Sequence, residues 1–194
     1  MRKSVTSFSV VCCLASCIFL AGCTSLVESV VKEPITPDPT SSSIGSNISD
    51  LKMDTFIGVN IKKADPALKK SHINVHVYDA LVLLTGEVPT QQLKVLAGDT
   101  ARAYTGVRQV HNELQVRGNS SIVARTNDSL ISAQVATKMT FDSEIKSSTV
   151  EVTTEDGVVY LMGKVRRSDG DKAAAVASST SGVRSVVKVF EYVD

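Results

Sequence analysis

The same pattern is written twice in this chain of 194 residues. Val75-His76-Val77-Tyr78-Asp79-Ala80-Leu81-Val82-Leu83-Leu84-Thr85-Gly86 reappears without a gap as Val152-Thr153-Thr154-Glu155-Asp156-Gly157-Val158-Val159-Tyr160-Leu161-Met162-Gly163, 77 residues further on. Each copy then runs through a helix-like stretch to a second glycine and a valine-rich segment. These are Gly106-Val107-Arg108 and Gly182-Val183-Arg184, 76 residues apart, so a single residue has been gained or lost between the copies. A repeat this long and this nearly gapless restricts the chain to two small domains of one fold.

Each copy gives the same order of signals. A helix comes first: Ile131, Val135 and Met139 recur at i, i+4, i+8 with Asp128 as N-cap, and Met53, Ile57, Ile61 and Ala64 repeat the stripe in the first copy. A hairpin follows, in which Val150, Val152 and Thr154 alternate, Glu155-Asp156-Gly157 turns, and Val159, Leu161 and Gly163 return. The first copy has Asp79-Ala80 in place of Asp156-Gly157, which predicts a less tight turn. A second helix starts from caps at Thr90 and Ser168. Its core face is Leu93, Leu96, Thr100 and Tyr104 in one copy and alanine-rich, residues 173–177, in the other. Gly106 and Gly182 stand where a residue just past a helix needs positive φ. Strands over residues 107–116 and 183–193 close the two copies.

The order is therefore α-β-β-α-β. The strand–helix–strand part demands a right-handed crossover with its strands parallel, while the hairpin is antiparallel. The expected fold class is α+β, each copy a three-stranded mixed sheet with two helices on one face. A unit of roughly 65–70 residues sits near the lower size limit for independent folding. Pairing the copies would add buried area, and the linker Arg117-Gly118-Asn119-Ser120-Ser121 is short enough to hold them close. The sequence leaves open whether they touch.

The amino-terminal residues carry an address. Arg2 and Lys3 precede an apolar run over residues 10–21 that is short for a membrane span and ends in Leu20-Ala21-Gly22-Cys23. That ending resembles a bacterial lipobox. The resemblance implies cleavage between Gly22 and Cys23, diacylglycerol on the Cys23 sulfur and an acyl group such as palmitate on the new amino terminus. The alternative is an ordinary secretory peptide with a coincidental cysteine, against which the small residues before Cys23 argue. One acyl chain binds a membrane marginally and several bind it stably. Thr24, rather than an aspartate, implies sorting to the outer membrane. Cys12, Cys13 and Cys17 leave with the signal peptide, so the mature chain has no thiol for a disulfide or a thiolate metal site. The net charge of +1 falls to about −1 without Arg2 and Lys3, which gives no bulk basic field for nucleic acid. Proline and serine dominate residues 34–46 and read as an extended tether.

Gly86 and Gly163, followed by Val88 and Val165, together with the pairs Gly106-Val107 and Gly182-Val183, make both copies resemble BON domains. A lipobox ahead of two such domains is similar to the dual BON-domain outer-membrane lipoproteins of Gram-negative bacteria. The resemblance implies a signal peptide over 1–22, a lipidated tether over 23–46, BON domains over 47–116 and 126–194, and a linker over 117–125. It further implies a non-enzymatic, periplasm-facing, lipid-anchored protein of the outer membrane. Members support membrane integrity, associate with anionic phospholipid and are linked to the outer-membrane protein assembly machinery.

No catalytic constellation is legible. His72, His76 and His111 all fall in the first copy. His72 and His76 share strand parity, but no cysteine or matched His/Glu cluster completes the three or four ligands a zinc site needs. Asp142 and Glu144 sit on a loop, and the second copy has no histidine to serve as a base. The glycines do not form a phosphate loop. Neither a cofactor nor a metal site is expected.

The membrane-facing candidate is the first helix of the second copy. At 100° per residue, Leu130 lies to one side of the Ile131–Val135–Met139 stripe, with Gln134 and Lys138 between. Leu130 is an apolar projection at the rim and Lys138 can meet a phosphate. The resemblance implies membrane contact at this helix. The competing reading has Leu130 packing against the first copy, where Phe56 is its counterpart. Two basic clusters, Lys164-Val165-Arg166-Arg167 and Lys62, Lys63, Lys69, Lys70, offer further headgroup contacts. The expected function is envelope maintenance with peripheral binding of anionic phospholipid. The alternative is a protein-interaction adaptor that docks an assembly or peptidoglycan-processing partner without reading lipid.

Overall fold

The computed structural model of the chain describes residues 46–193. The stretches expected to be signal peptide (1–22) and tether (23–46, with Cys23) lie outside the described residues except for Ser46. The first copy comprises α1 (Ser46–Ala64), α2 (Pro66–Lys70), β1 (His72–Tyr78), β2 (Leu81–Val88), α3 (Gln91–Arg102), β3 (Gln109–Asn112) and β4 (Gln115–Val116). The second comprises α4 (Ile122–Phe141), a 3-10 turn (Ser147–Thr149), β5 (Val150–Glu155), β6 (Val158–Val165), α5 (Arg167–Ser178) and β7 (Ser185–Tyr192). The expected mixed α/β order is present in both copies. The short α2 is an addition: the Asp65 carboxylate accepts a hydrogen bond from the Ala67 amide at 2.6 Å, Pro66 opens the helix, and Leu68 is delivered to the core.

In each sheet the second hairpin strand is central. β1 runs antiparallel to β2, and β3 and β4 run parallel to it. β5 and β7 flank β6 in the same senses. The pairs Asn112–Leu84 and Gln115–Glu87 keep one register, so β3 and β4 are a single strand interrupted at Glu113-Leu114. Gly86 and Gly163 sit where β2 and β6 meet the start of their hairpin partners, at φ 111° and 149°. A Cβ there would fall 2.1 Å from the carbonyl oxygens of His72 and Thr149, respectively, so only hydrogen fits.

The hairpin turns are alike, contrary to the sequence-based expectation of a looser first turn. Asp79 and Ala80 take φ 47° and 62°, and Asp156 and Gly157 take 50° and 69°, the positive pair of a two-residue turn that follows strand twist. Two other expectations need correction. Ser168 lies inside α5, whose N-cap is Arg166 without a side-chain bond, whereas Thr90 caps α3 as expected, accepting from the Leu93 amide at 3.3 Å. Gly106 and Gly182 do have positive φ, but three residues beyond the helix caps Ala103 and Ser179. There they serve turns closed by Val107 N–H to Tyr104 C=O and Val183 N–H to Thr180 C=O, both 3.2 Å.

Helices cover one face of each sheet. Met53, Ile57, Ile61 and Leu68 pack on Val82, Leu84 and Val88, and Ile131, Val135 and Met139 pack on Val159 and Leu161. The later helices approach through small residues, Ala97 and Ala101 in α3, Ala173 and Ala177 in α5. The expected α3 face of Leu96 and Thr100 is thus rotated: Leu96 is exposed, as is Ala64 of α1. The opposite sheet faces meet each other. Leu81 and Leu83 of β2 pack with Tyr160 and Met162 of β6 and Val189 of β7, flanked by Tyr78, Val158 and Val187. The two copies therefore pack back to back, in layers helix–sheet–sheet–helix. This explains why β2 is buried at every position and reads as an unbroken apolar run instead of alternating.

Candidate functional site

The 20-residue helix α4 starts from Ser121, whose hydroxyl accepts from the Ala124 amide at 3.1 Å. Asp128, expected at the N-cap, lies well inside the helix and is buried. Its carboxylate accepts from the turn amides of Asp156 and Gly157, both at 2.8 Å. Asp128, Ile131, Val135 and Met139 form the stripe turned toward the sheet.

The opposite side of α4 is apolar as well. Ile122, Val123, Leu130 and Phe141 are 74%, 79%, 58% and 85% exposed. At 100° per residue these four fall within an arc of about 100°, facing away from the core stripe. Thr126, Ala133 and Thr137 lie within the same arc, and no charged residue does. The Thr126 and Thr137 hydroxyls donate to carbonyls one turn back, Ile122 at 3.0 Å and Ala133 at 2.7 Å, which lowers their demand for water. The result is an uncharged ridge that runs the length of the helix.

Leu130 is on this ridge and does not pack against the first copy, since the contact between copies is made by the sheets. Gln134 and Lys138 are exposed on the ridge's flank, and Lys138 Nζ donates to the Ser179 carbonyl at the end of α5, 3.3 Å away. Phe56 does not mirror Leu130, because it packs into the first core. Ile122, Val123 and Phe141 were not singled out from the sequence. Measuring the arc from Leu130 across all of α4, including the stretch read as linker, would have found them.

The basic clusters are differently occupied. Lys164 pairs with Glu191 at 3.1 Å, and the Arg167 guanidinium stacks 4.5 Å from the Tyr192 ring centre. Lys62 and Lys63 are half-buried, and Lys69 and Lys70 are exposed around α2.

A second polar assembly lies along the seam between the copies. Arg108 donates to the Asp79 carbonyl at 2.8 Å and to Glu191 of the other copy at 2.6 Å. Arg117 bridges Glu87 at 2.9 Å and Asp156 at 2.7 Å, and Arg184 also pairs with Asp156. Burial pushes the Asp156 carboxyl up, but the hydrogen bonds from Arg117 and Arg184 outweigh it and hold the group below its ordinary range. His76 lies 3.3 Å from the Thr153 hydroxyl and 3.6 Å from Glu151. Beside them His72, Asn74, Arg125, Ser129, Ser132 and Glu155 line an open cleft of about 430 Å3.

The BON domain family model matches residues 60–118 and 127–194. Outer membrane lipoprotein DolP of Haemophilus influenzae is 34% identical over 93% of this chain and 94% of its own length. The 21 kDa hemolysin of Actinobacillus pleuropneumoniae is 33% identical over 80% of this chain and 79% of its own. Osmotically-inducible protein Y of Escherichia coli is 28% identical over 77% and 75%. None of these names is that of an enzyme.

Proposed function

The chain belongs to the BON-domain family, with two copies of the domain, and from that premise we propose that it is a lipid-anchored envelope-maintenance protein of the outer membrane. In this reading Cys23 carries the lipid, the tether over 23–46 gives reach, and the second domain touches the periplasm-facing bilayer surface through α4. Contact with anionic phospholipid would support membrane integrity and the assembly of outer-membrane proteins. None of the described helices is long and apolar enough to cross a membrane, so the contact assigned to the domain is peripheral.

The observation that carries this reading is the α4 ridge. Four large apolar side chains stand in one uncharged arc, directed away from a core the same helix already serves. Burying such side chains gains about 1.5–3 kcal/mol each, enough together to hold a domain already concentrated at the surface by an anchor. Lys138 at the flank and Arg166 beyond β6 add cationic contacts for headgroups. We assign no catalytic step to the chain.

The test is sedimentation of residues 24–194 with liposomes, with and without anionic lipid. Pelleting that depends on anionic lipid supports the reading. Absence of pelleting would leave Cys23 as the sole membrane contact and turn the ridge into a docking face for a protein, the adaptor alternative.

A further inference from the structure

Three side chains drawn from both copies converge at the seam: His72 on β1, Glu87 near the end of β2, and Glu155 at the end of β5. Each offers one ligand atom, and the three atoms lie within 4.8 Å of one another. Glu87 is completely buried and Glu155 is 5% exposed. The charge of Glu87 is answered. Arg117 donates to its Oε1 at 2.9 Å, and the Ser120 amide and hydroxyl donate to Oε2 at 3.1 and 3.2 Å. That of Glu155 is answered on one side only. Its Oε2 accepts from Asn74 Nδ2 at 3.0 Å and lies 3.6 Å from His72 Nε2. Its Oε1 is buried and has no hydrogen-bond partner among the described residues. A buried carboxylate oxygen without a donor is costly, and a cation removes that cost.

The imidazole is set between two donors. Arg125 Nη1 is 3.1 Å from His72 Nδ1 and Asn74 Nδ2 is 3.3 Å from its Nε2; a neutral imidazole accepts at only one nitrogen, so one of these two donors is left facing a ring N–H. Arg125 itself lines the open cleft together with His72 and Glu155, so it has room to swing outward, and the same cleft is an entry path.

We propose that His72, Glu87 and Glu155 form a binding site for a divalent transition metal of the zinc class that staples the two copies together. His72 Nε2 and one oxygen from each glutamate supply three ligands, and water supplies the fourth. One imidazole with two carboxylates suits zinc better than magnesium or calcium, which prefer all-oxygen shells. A metal on Nε2 fixes the ring proton of His72 on Nδ1, so the Asn74 amide turns away from Nε2 and Arg125 withdraws into the cleft still charged. No net proton leaves the protein. Arg125 is therefore a competitor of the metal, a role opposite to that of a ligand's supporting group. The proposal departs from the sequence-based expectation of no metal site. The ligands are scattered over residues 72–155 and only the packing of the two sheets collects them.

The experiment is calorimetric titration of the chelator-treated full chain in detergent micelles with Zn2+, and with Mg2+ as the comparison ion. One saturable Zn2+ site per chain with no matching Mg2+ site is expected. Glu155→Gln and His72→Gln each weaken it by more than about tenfold, and Arg125→Gln tightens it. His72 is half-buried, so His72→Gln remains a usable probe if Glu155→Gln impairs folding. Lack of saturable Zn2+ binding overturns the proposal, as does binding that is indifferent to His72→Gln or that Arg125→Gln weakens.

Discussion

The carboxylate of Asp128, inside α4, accepts the backbone N–H of Asp156 at 2.8 Å, and its other oxygen accepts that of Gly157 at the same distance. The first copy repeats the arrangement, Asp50 accepting from Asp79 at 2.7 Å and Ala80 at 3.2 Å. A turn with two positive φ values leaves both central amides without strand partners, and a helix acid supplies them. Ala80 can therefore occupy a position for which glycine is the usual choice.

Asp128→Ala strips the acceptor from both amides and should destabilise the second copy by about 1–3 kcal/mol. Asp128→Asn keeps one good acceptor and should lose less. Urea unfolding monitored by circular dichroism reads both. An alanine variant as stable as the parent would mean that the turn holds itself.

Gly163→Ala sets a methyl group 2.1 Å from the Thr149 carbonyl oxygen at φ 149°, and nothing flexible can move aside. The expected loss is severe, on the order of 4 kcal/mol or more. Gly118→Ala, with no atom within 4 Å of the added carbon, is the matched control and should melt at the parental temperature. Similar melting points for the two variants would contradict the tight approach of β5 and β6.

Burial in the sheet-to-sheet core, helped by the nearby Glu113, Glu155 and Asp156, pushes the Tyr160 phenol up to about 12. The folded chain thus holds this proton more tightly than the unfolded chain, whose phenol titrates near its usual value of about 10. The stabilisation is complete below pH ~10 and is lost as pH rises from ~10 through ~12, a loss on the order of 2–3 kcal/mol. Tyr160→Phe should flatten that part of the stability profile. Parallel urea titrations of parent and variant over this range give the difference, and superimposable slopes would remove Tyr160 as its source.

Leu130→Glu or Phe141→Glu puts a charge on the α4 ridge without touching either core. Each should reduce liposome pelleting of residues 24–194 at least about tenfold while leaving the melting temperature nearly unchanged. Val95→Glu, an exposed apolar residue on α3, should pellet as the parent does. Equal pelleting of all three variants would locate lipid contact elsewhere.

Much of the fold could be read from the duplication, because an alternation of two and a stripe of four are local signals. The hairpins, the parallel return strand and the Ile131–Val135–Met139 face all belong to this class. The errors share a cause as well. Asp128 and Ser168 have the composition of caps, but the helices start earlier, at Ser121 and Arg166, and the choice is settled by where the chain leaves the preceding strand. Leu96 lost its place to Ala97 because the depth of a helix on a sheet is a tertiary property. For the candidate site, Leu130 was legible as a rim residue, while Phe141 is set on the same ridge only by the full length of α4. Glu87 and Glu155 carried no signal, since their convergence exists only once two sheets are laid together.

The sheet-to-sheet packing also constrains how copies can be added. Each copy has one open sheet face, and Leu81, Leu83, Tyr160, Met162 and Val189 use both of them up against each other. Solenoid repeats leave an interface free at each end for the next unit, but here the outward layers are helices. A further copy of the same unit would therefore find neither inner sheet face free and would have to meet these two through a sheet edge or a helix layer.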